Sequence, residues 1–366
     1  MDKPAVSVAM VVCNVERFLG EAIESILNQT LRDFEFIILD FGSTDGSTSI
    51  ISRYKARDSR IKFHVIPHCR YPEARNASCF LAQSPYIAIM DADDVALKDR
   101  LMWQVEFMER NPEVGVLGGA VQFIDDAGRK LHTQQYPLRD AEIKHALLVR
   151  HSPIAHPAVV MRKEVFLSVG GYRSAFLASE DYDLWLRIAE RCELANLGAV
   201  VLKYRLHANQ ATNRDLERQT ICGLAAQAAA TIRRNGLPDP LNSVKEITPA
   251  VVAGLGVTEE AVEKALLAIY RHRVTLTLEM SLDLPLLSLV SQMLAKLAES
   301  KHVRGPGAAA VWSAAAQAYM SRGKVLKAVA AATRAFLVHP ALAIDIGRRE
   351  LGRLLRWAGL RRTPLR

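Results

Sequence analysis

The chain has 366 residues, enough for about two domains, each with its own core. Half of it is apolar and 23% is charged, an ordinary globular balance, and apolar stretches such as residues 285–298 are broken by Ser, Gln and Lys before the roughly 18 uninterrupted residues of a membrane span. The net charge of +8 is local: residues 348–366 carry seven arginines and one acid, a net +6, which leaves +2 for the rest and argues against a nucleic-acid footprint.

The chain runs from Met1-Asp2-Lys3-Pro4 straight into strand-like Val6–Val12 without an export signal, so a cytosolic protein is expected. Further strands are predicted over residues 34–39, 61–66 and 86–90. Phe18, Ala22, Ile23, Ile26 and Leu27 mark one intervening helical face, and Ile50, Ile51 and Tyr54 another. This alternation predicts a layered α/β domain with a mostly parallel sheet, whose ligands bind at the carboxyl ends of the strands. Asn14, Asp40 and Asp91 each stand just past a strand end, so the fold should gather them along one edge.

A helix is predicted over residues 97–110, with Leu101, Val105 and Met108 on one side. A glycine-bearing strand over 114–121 follows, with a hairpin partner after Asp125-Asp126-Ala127-Gly128. Strands over 156–161 and 193–204 flank a helix over 181–191. Beyond about Asp215 the pattern becomes Ala- and Leu-rich and helical, with a linker at 235–240, giving expected domains 1–214 and 215–366. Residues 308–338 read as one helical hairpin of tetratricopeptide type, taken as packing because such repeats need about three stacked units. In the basic tail Leu351, Leu354, Leu355 and Ala358 fall at helical spacing, which suits a helix on anionic lipid and equally a solvated helix docked on its own domain. The five cysteines form no C-x-x-C pair and read as reduced thiols.

The richest segment is Tyr86-Ile87-Ala88-Ile89-Met90-Asp91-Ala92-Asp93-Asp94, a buried-strand pattern ending in three acids within four positions. Carboxylates this close repel unless a cation lies among them, so the cluster points to a divalent metal. Three readings compete: a solvated strand end capping the next helix; a phosphohydrolase of the haloacid dehalogenase type with Asp91 as nucleophile; and the acid pair of a nucleotide-sugar transferase. The second also needs a downstream Gly-Asp motif, which the chain lacks. A P-loop is excluded, because Gly323-Lys324 is preceded five residues earlier by Ala318, and no dinucleotide glycines follow the first strand. Asp40 can accept the imide N–H of a uracil or thymine ring, whereas Ser43, Thr44 and Asp45 read as turn and capping residues.

Val6-Ser7-Val8 through Asn14, residues 21–30, Asp40 with Gly42-Ser43-Thr44-Asp45-Gly46-Ser47, Ala74-Arg75-Asn76, Asp91-Ala92-Asp93-Asp94, Gly170-Gly171-Tyr172 and Glu180-Asp181-Tyr182-Asp183-Leu184-Trp185-Leu186-Arg187 occur in one order. Together they resemble a bacterial family 2 inverting glycosyltransferase of the GT-A fold, over residues 4–212, followed here by an α-helical C-terminal domain with a basic tail. The resemblance implies a nucleotide-diphosphate sugar donor, most simply a UDP-sugar, and a glycan or lipid-linked acceptor in cell-surface polysaccharide biosynthesis. It implies Mn²⁺ or Mg²⁺ on Asp91 and Asp93, Asp91 also meeting the ribose, with Asn14, Asp40 and Arg75 on the nucleotide sugar. Without a cation each carboxylate–phosphate pair near 4 Å would cost about 4 kcal/mol at a surface-like dielectric. Asp181 matches the catalytic base, Glu180 and His156 match acceptor-positioning residues, and His207 matches a last metal ligand. Capping by Ser179 and an Asp183–Arg187 pair are the bland alternatives at the Glu-Asp motif.

Departures from the family pattern are Cys13 for a tyrosine that packs on the base, Val11 for a proline, Phe41 for a second acid, and His68 and Arg70 for Asn and Gly. No nucleic-acid partner is expected, and the basic tail would allow peripheral contact with the inner face of the cytoplasmic membrane. The rival from another class is a non-catalytic sugar-nucleotide or glycan-binding scaffold.

Overall fold

The computed structural model describes residues 3–149, 152–207, 210, 215–280, 306–320 and 325–338; the basic tail lies outside them. The chain divides into two compact units, residues 1–206 with 221–256, and residues 207–220 with 257–366. The expected boundary after residue 214 falls inside the first stretch of the second unit.

In the first unit β1 (Val6–Val12) lies between β2 (Phe34–Asp40) and β4 (Tyr86–Asp91), with β3 (Ile61–Val65) outside β2, all parallel. Every residue of β1 and β2 is buried, as continuous apolar runs covered on both faces require. Val6, Val8, Met10 and Val12 pack with Leu19, Ala22, Ile23 and Ile26 of α1 (Glu16–Leu27) and Ile51 of α2 (Ser47–Lys55). On the other face Val11 and Leu39 pack with Ala74 of α3 (Tyr71–Leu81).

The second half of the sheet is mixed. β8 (Val160–Arg162) runs antiparallel to both β4 and β6 (Val114–Ile124), and β9 (Glu193–Arg205) runs parallel to β6. The short β5 (Val95–Ala96) pairs antiparallel with β9, and the expected hairpin partner, β7 (Lys130–Gln134), pairs with β6. The order is β3-β2-β1-β4-β8-β6-β9-β5. The glycines of β6 admit β9 closely: a Cβ on Gly118 would lie 2.1 Å from Asn196 Oδ1, and one on Gly119 would lie 2.7 Å from Val201.

Three expectations are corrected. The strand expected over 156–161 is a 3₁₀ turn, His156–Ala158, followed by the three residues of β8, because Pro157 has no N–H for a ladder and its fixed φ suits the turn. The helix expected from Leu97 starts at Arg100 (α4, Arg100–Arg110), because Leu97 is still extended, its N–H to the Val201 carbonyl carrying on the β5–β9 pairing. The segment expected as a linker, 235–240, belongs to the first unit: Asp239 accepts hydrogen bonds from Arg173 and Arg233, and Arg233 also pairs with Glu190 at 2.7 Å.

The remaining helices of this unit are α5 (Asp140–Leu148), α6 (Lys163–Ser168), α7 (Glu180–Ile188), most of α8 (Leu216–Arg234), and α9 (Pro249–Gly254), which begins with Pro249 and is capped by Thr248. In the second unit α11 (Pro306–Met320) packs against α10 (Glu259–Met280) and α12 (Val325–Val338), with Ala308, Ala309 and Ala315 facing a core shared with Ala328, Ala331 and Ala335. No described helix is long and apolar enough to cross a membrane.

Candidate active site at the carboxyl edge of the sheet

Register alone brings the expected edge residues together: Asp40 pairs with Val12, two positions before Asn14, and Asp91 pairs with Val11. Asn14 has φ 53°, in the left-handed region that Asn tolerates, and its Oδ1 accepts from the Thr44 N–H at 2.7 Å and the Asp45 N–H at 3.3 Å. Asp40 is 1% exposed; Oδ1 accepts from the Gly42 and Ser43 N–H groups at 3.0 and 2.8 Å, and Oδ2 from the Thr48 hydroxyl at 2.6 Å. Asp45 accepts from the Ser47 N–H at one oxygen and from the Glu16 N–H at the other, so it serves the starts of both α2 and α1. His68 has φ 61°, in the left-handed region that His, like Asn, adopts more readily than most residues.

Beyond the end of β4, one ligand oxygen from each of Asp91, Asp93 and Asp94 falls within 4.8 Å of the others. Arg75, on α3 and 1% exposed, pairs with Asp91 and donates to the Tyr71 hydroxyl, over whose ring it lies at 4.9 Å. Its Nη1 is buried without a hydrogen-bond partner. Burial works against the Asp91 carboxylate, but Arg75 beside it prevails and holds the group below the usual carboxylate range. Asp94 is the reverse case: burial, then the charges of Asp93 and Asp91, push it well up, and its Oδ2 has no hydrogen-bond partner. Three carboxylates with a buried unsatisfied oxygen form a hard-oxygen set that suits Mg²⁺ or Mn²⁺.

Glu180 and Asp181 open α7, after Ser179 in the left-handed conformation at φ 55°. Ser179 does stand at the N-cap position, where its carbonyl accepts from the Asp183 N–H, but its side chain makes no capping bond; Asp183 and Arg187 form the i,i+4 pair, buried, at 2.8 Å. Burial and then the charge of Asp181 push Glu180 up to about 8. Asp181 is also raised, by burial and by the charge of Asp91, which puts the Glu-Asp pair and the acid cluster within one electrostatic field. His156 hydrogen-bonds the Tyr172 hydroxyl through Nε2 at 2.9 Å, and burial, then Arg75, pull it down to about 3. It is a neutral ring at the sheet edge, 6.0 Å from the Trp185 ring.

The structure thus gathers Arg75, Asp91, Asp93, His156, Glu180 and Asp181 in one unit, with Asn14 and Asp40 on the adjoining strand ends. His207 falls in the second unit, and the acid group among the described residues contains no histidine. Sequence reasoning missed Tyr71, although it stands four residues before Arg75 on one helix, the spacing at which side chains meet. It assigned no ligand role to Asp94. It also missed Arg100, which is buried and donates to the Ile89 carbonyl at 2.8 Å behind the acid strand. Phe41 stands edge-on to Tyr71 at 5.9 Å, an aromatic pair beside the Asp40 loop.

The family described as Glycosyl transferase family 2 matches residues 7–170. An uncharacterised glycosyltransferase of Methanocaldococcus jannaschii is 37% identical over 215 residues, 56% of this chain and 72% of that protein. The O-antigen biosynthesis glycosyltransferase WbnJ of Escherichia coli is 33% identical over 213 residues, 57% of this chain and 82% of WbnJ. Among solved structures, the mannosyltransferase PcManGT of Pyrobaculum calidifontis, in complex with GDP-Man and Mn²⁺, shares the fold at 18% identity and TM-score 0.50, covering 92% of this chain and 88% of that one. S. aureus TarS 1–349 in complex with UDP-GlcNAc does so at 14% identity and TM-score 0.52, with 88% of each chain covered. With the GT-A arrangement of its sheet and acid edge, the chain belongs to glycosyl transferase family 2.

Proposed function

We propose that the chain is a metal-dependent, inverting glycosyltransferase that moves a sugar from a nucleoside-diphosphate sugar to a glycan or lipid-linked saccharide during surface polysaccharide synthesis. The observation that carries the reading is the electrostatic field shared by the acid cluster and the Glu180–Asp181 pair. The relative named for O-antigen biosynthesis supports the pathway class, and neighbours bound to GDP-Man or UDP-GlcNAc support the donor class.

Asp91, Asp93 and Asp94 would hold Mn²⁺ or Mg²⁺, which when bound offsets the charge of the diphosphate and stabilises it as a leaving group. Arg75 aims an unpaired buried N–H donor that a phosphate oxygen would satisfy. Asp40 spends three acceptor positions on its own loop, and a carboxylate has about four, so one remains for a base N–H. Asp181 takes the proton of the acceptor hydroxyl as its oxygen bonds to the anomeric carbon and the anomeric C–O bond to the diphosphate breaks on the opposite face. Two adjacent carboxyls with unequal environments divide the labour: Glu180, pushed to about 8, keeps its proton at neutral pH and donates to the acceptor, while Asp181 carries the charge. His156, neutral and tied to Tyr172, lines the same side for the acceptor. The basic tail would bring the enzyme to an anionic membrane surface.

A panel of UDP-, GDP- and TDP-sugars, each with and without Mn²⁺, tests this by thermal shift and by donor turnover. One donor should raise the melting temperature only with the cation, and Asp181→Asn should bind it while losing transfer by about 10²- to 10⁴-fold. Binding without turnover in the wild type would instead favour a non-catalytic scaffold. Co-sedimentation of the full chain with anionic vesicles, lost when residues 348–366 are removed, tests the membrane contact.

A further inference from the structure

We propose that Arg205 is a positioning residue for the cation, the group that holds the acid loop in a shape fit to bind it; the inference rests on the metal-dependent reading above. Arg205 closes β9 and is 1% exposed. Its Nε donates to the Asp93 carbonyl at 2.8 Å, and its own backbone N–H donates to Asp94 Oδ1 at 2.8 Å, so one residue holds two consecutive acids from 112 and 111 positions away. Nη1 reaches the Asp125 and Asp126 carbonyls in the β6–β7 turn at 3.3 and 3.4 Å, and Nη2 donates to Glu21 Oε2 on α1 at 2.5 Å. The Phe18 ring lies beneath the guanidinium at 4.8 Å. A planar fork with five donors can tie an acid loop, a hairpin turn and a helix into one frame; a lysine, with a single point of charge, cannot.

The loop needs such a frame. Immediately after the acids, Val95 and Ala96 pair with Lys203 and Leu202, so the acid loop hangs between β4 and β5 and β9 forms its far anchor. Three carboxylates confined within 4.8 Å repel one another and would splay if the loop were free to move. Asp94 is buried with one oxygen unpartnered, an arrangement that persists only where surrounding groups fix the backbone. Groups of this kind, which touch the ligands rather than the metal, change metal affinity about 10- to 100-fold when altered.

The test follows Mn²⁺ binding to the full chain by the electron paramagnetic resonance signal of free Mn²⁺, beside the melting temperature, for wild type, Arg205→Lys, Arg205→Gln and Glu21→Gln. Both Arg205 variants should bind Mn²⁺ about 10- to 100-fold more weakly. Glu21→Gln, which loosens only one arm of the fork at a half-exposed partner, should weaken it roughly two- to fivefold. Once a donor is found, the Mn²⁺ concentration for half-maximal rate should rise in these variants while kcat at saturating Mn²⁺ recovers. A purely structural role would lower the melting temperature of the variants and leave the Mn²⁺ affinity of the folded protein unchanged. Folded Arg205→Lys binding Mn²⁺ within about twofold of wild type overturns the inference. Should Arg205→Gln not fold, unchanged affinity in Arg205→Lys and Glu21→Gln together overturns it. Wild type that binds neither Mn²⁺ nor Mg²⁺ overturns the metal reading itself, and the inference with it; the two failures are thus told apart by the wild-type titration alone.

Discussion

Glu180 offers a test that needs no knowledge of the substrate. Its carboxyl is 9% exposed and is pushed from an ordinary 4.5 up to about 8, first by burial and then by Asp181. The folded state therefore holds a proton that the unfolded chain releases above pH 4.5. That contribution to stability is complete below the unfolded value and is lost as pH rises through about 8, so stability should fall between about pH 4.5 and 8. Each pH unit is worth about 1.4 kcal/mol at most, which sets a ceiling of about 5 kcal/mol over the window; the interaction with Asp181 spreads the titration over the pair and reduces the measured value. Glu180→Gln keeps the shape of the protonated form and should flatten this component. Urea unfolding at several pH values between 5 and 8 would give two curves that converge at low pH and diverge as pH rises, the wild type losing stability relative to the variant. Parallel curves would refute the assignment. With a donor in hand, the wild-type rate should fall above pH 8 by about tenfold per unit, and the Gln variant should lack that alkaline limb.

Replacing Arg75 with Met takes from the partly exposed Asp91 its directly paired cation, and should cost about 1–3 kcal/mol of stability by chemical denaturation, with Mg²⁺ or Mn²⁺ restoring part of it. Asp239→Ala removes the carboxylate shared by Arg173 and Arg233 and should cost about 2–4 kcal/mol, with limited proteolysis cutting first between residues 235 and 256. Asn14→Ala deletes the acceptor of two loop N–H groups and puts alanine, which tolerates the left-handed region less well than asparagine, at positive φ, which together should cost roughly 1–3 kcal/mol and weaken donor binding; a wild-type melting temperature would contradict the role given to that loop. Asp93→Asn should weaken Mn²⁺ affinity while leaving the unfolding midpoint near that of wild type without metal, which calorimetry and denaturation measure side by side.

The strands from Val6 to Asp91 and the helices between them were legible because each is declared locally, by an apolar run of strand length or an apolar stripe at helical spacing. Acids placed at strand ends then met at one edge, since parallel strands in register align their carboxyl ends. What failed was decided by long-range strand pairing or by a proline: Leu97 continues the pairing of β5 with β9 instead of starting a helix, and Pro157 turns a strand pattern into a 3₁₀ turn. The 235–240 segment looked like a linker because turn residues dominate it, and no local pattern shows that Asp239 lies between two distant arginines.

By itself, then, the order of residues determined the periodic elements, the acid edge and the family, all properties of near neighbours and of motif spacing. Only the tertiary structure decided that Arg75 pairs with Asp91, that Glu180 is buried beside Asp181, which raises its pKa, and that Arg205 hydrogen-bonds Asp93 and Asp94 from more than a hundred residues away. Burial and charge depend on what the folded chain brings within a few ångströms, and that information is absent from any short window of sequence.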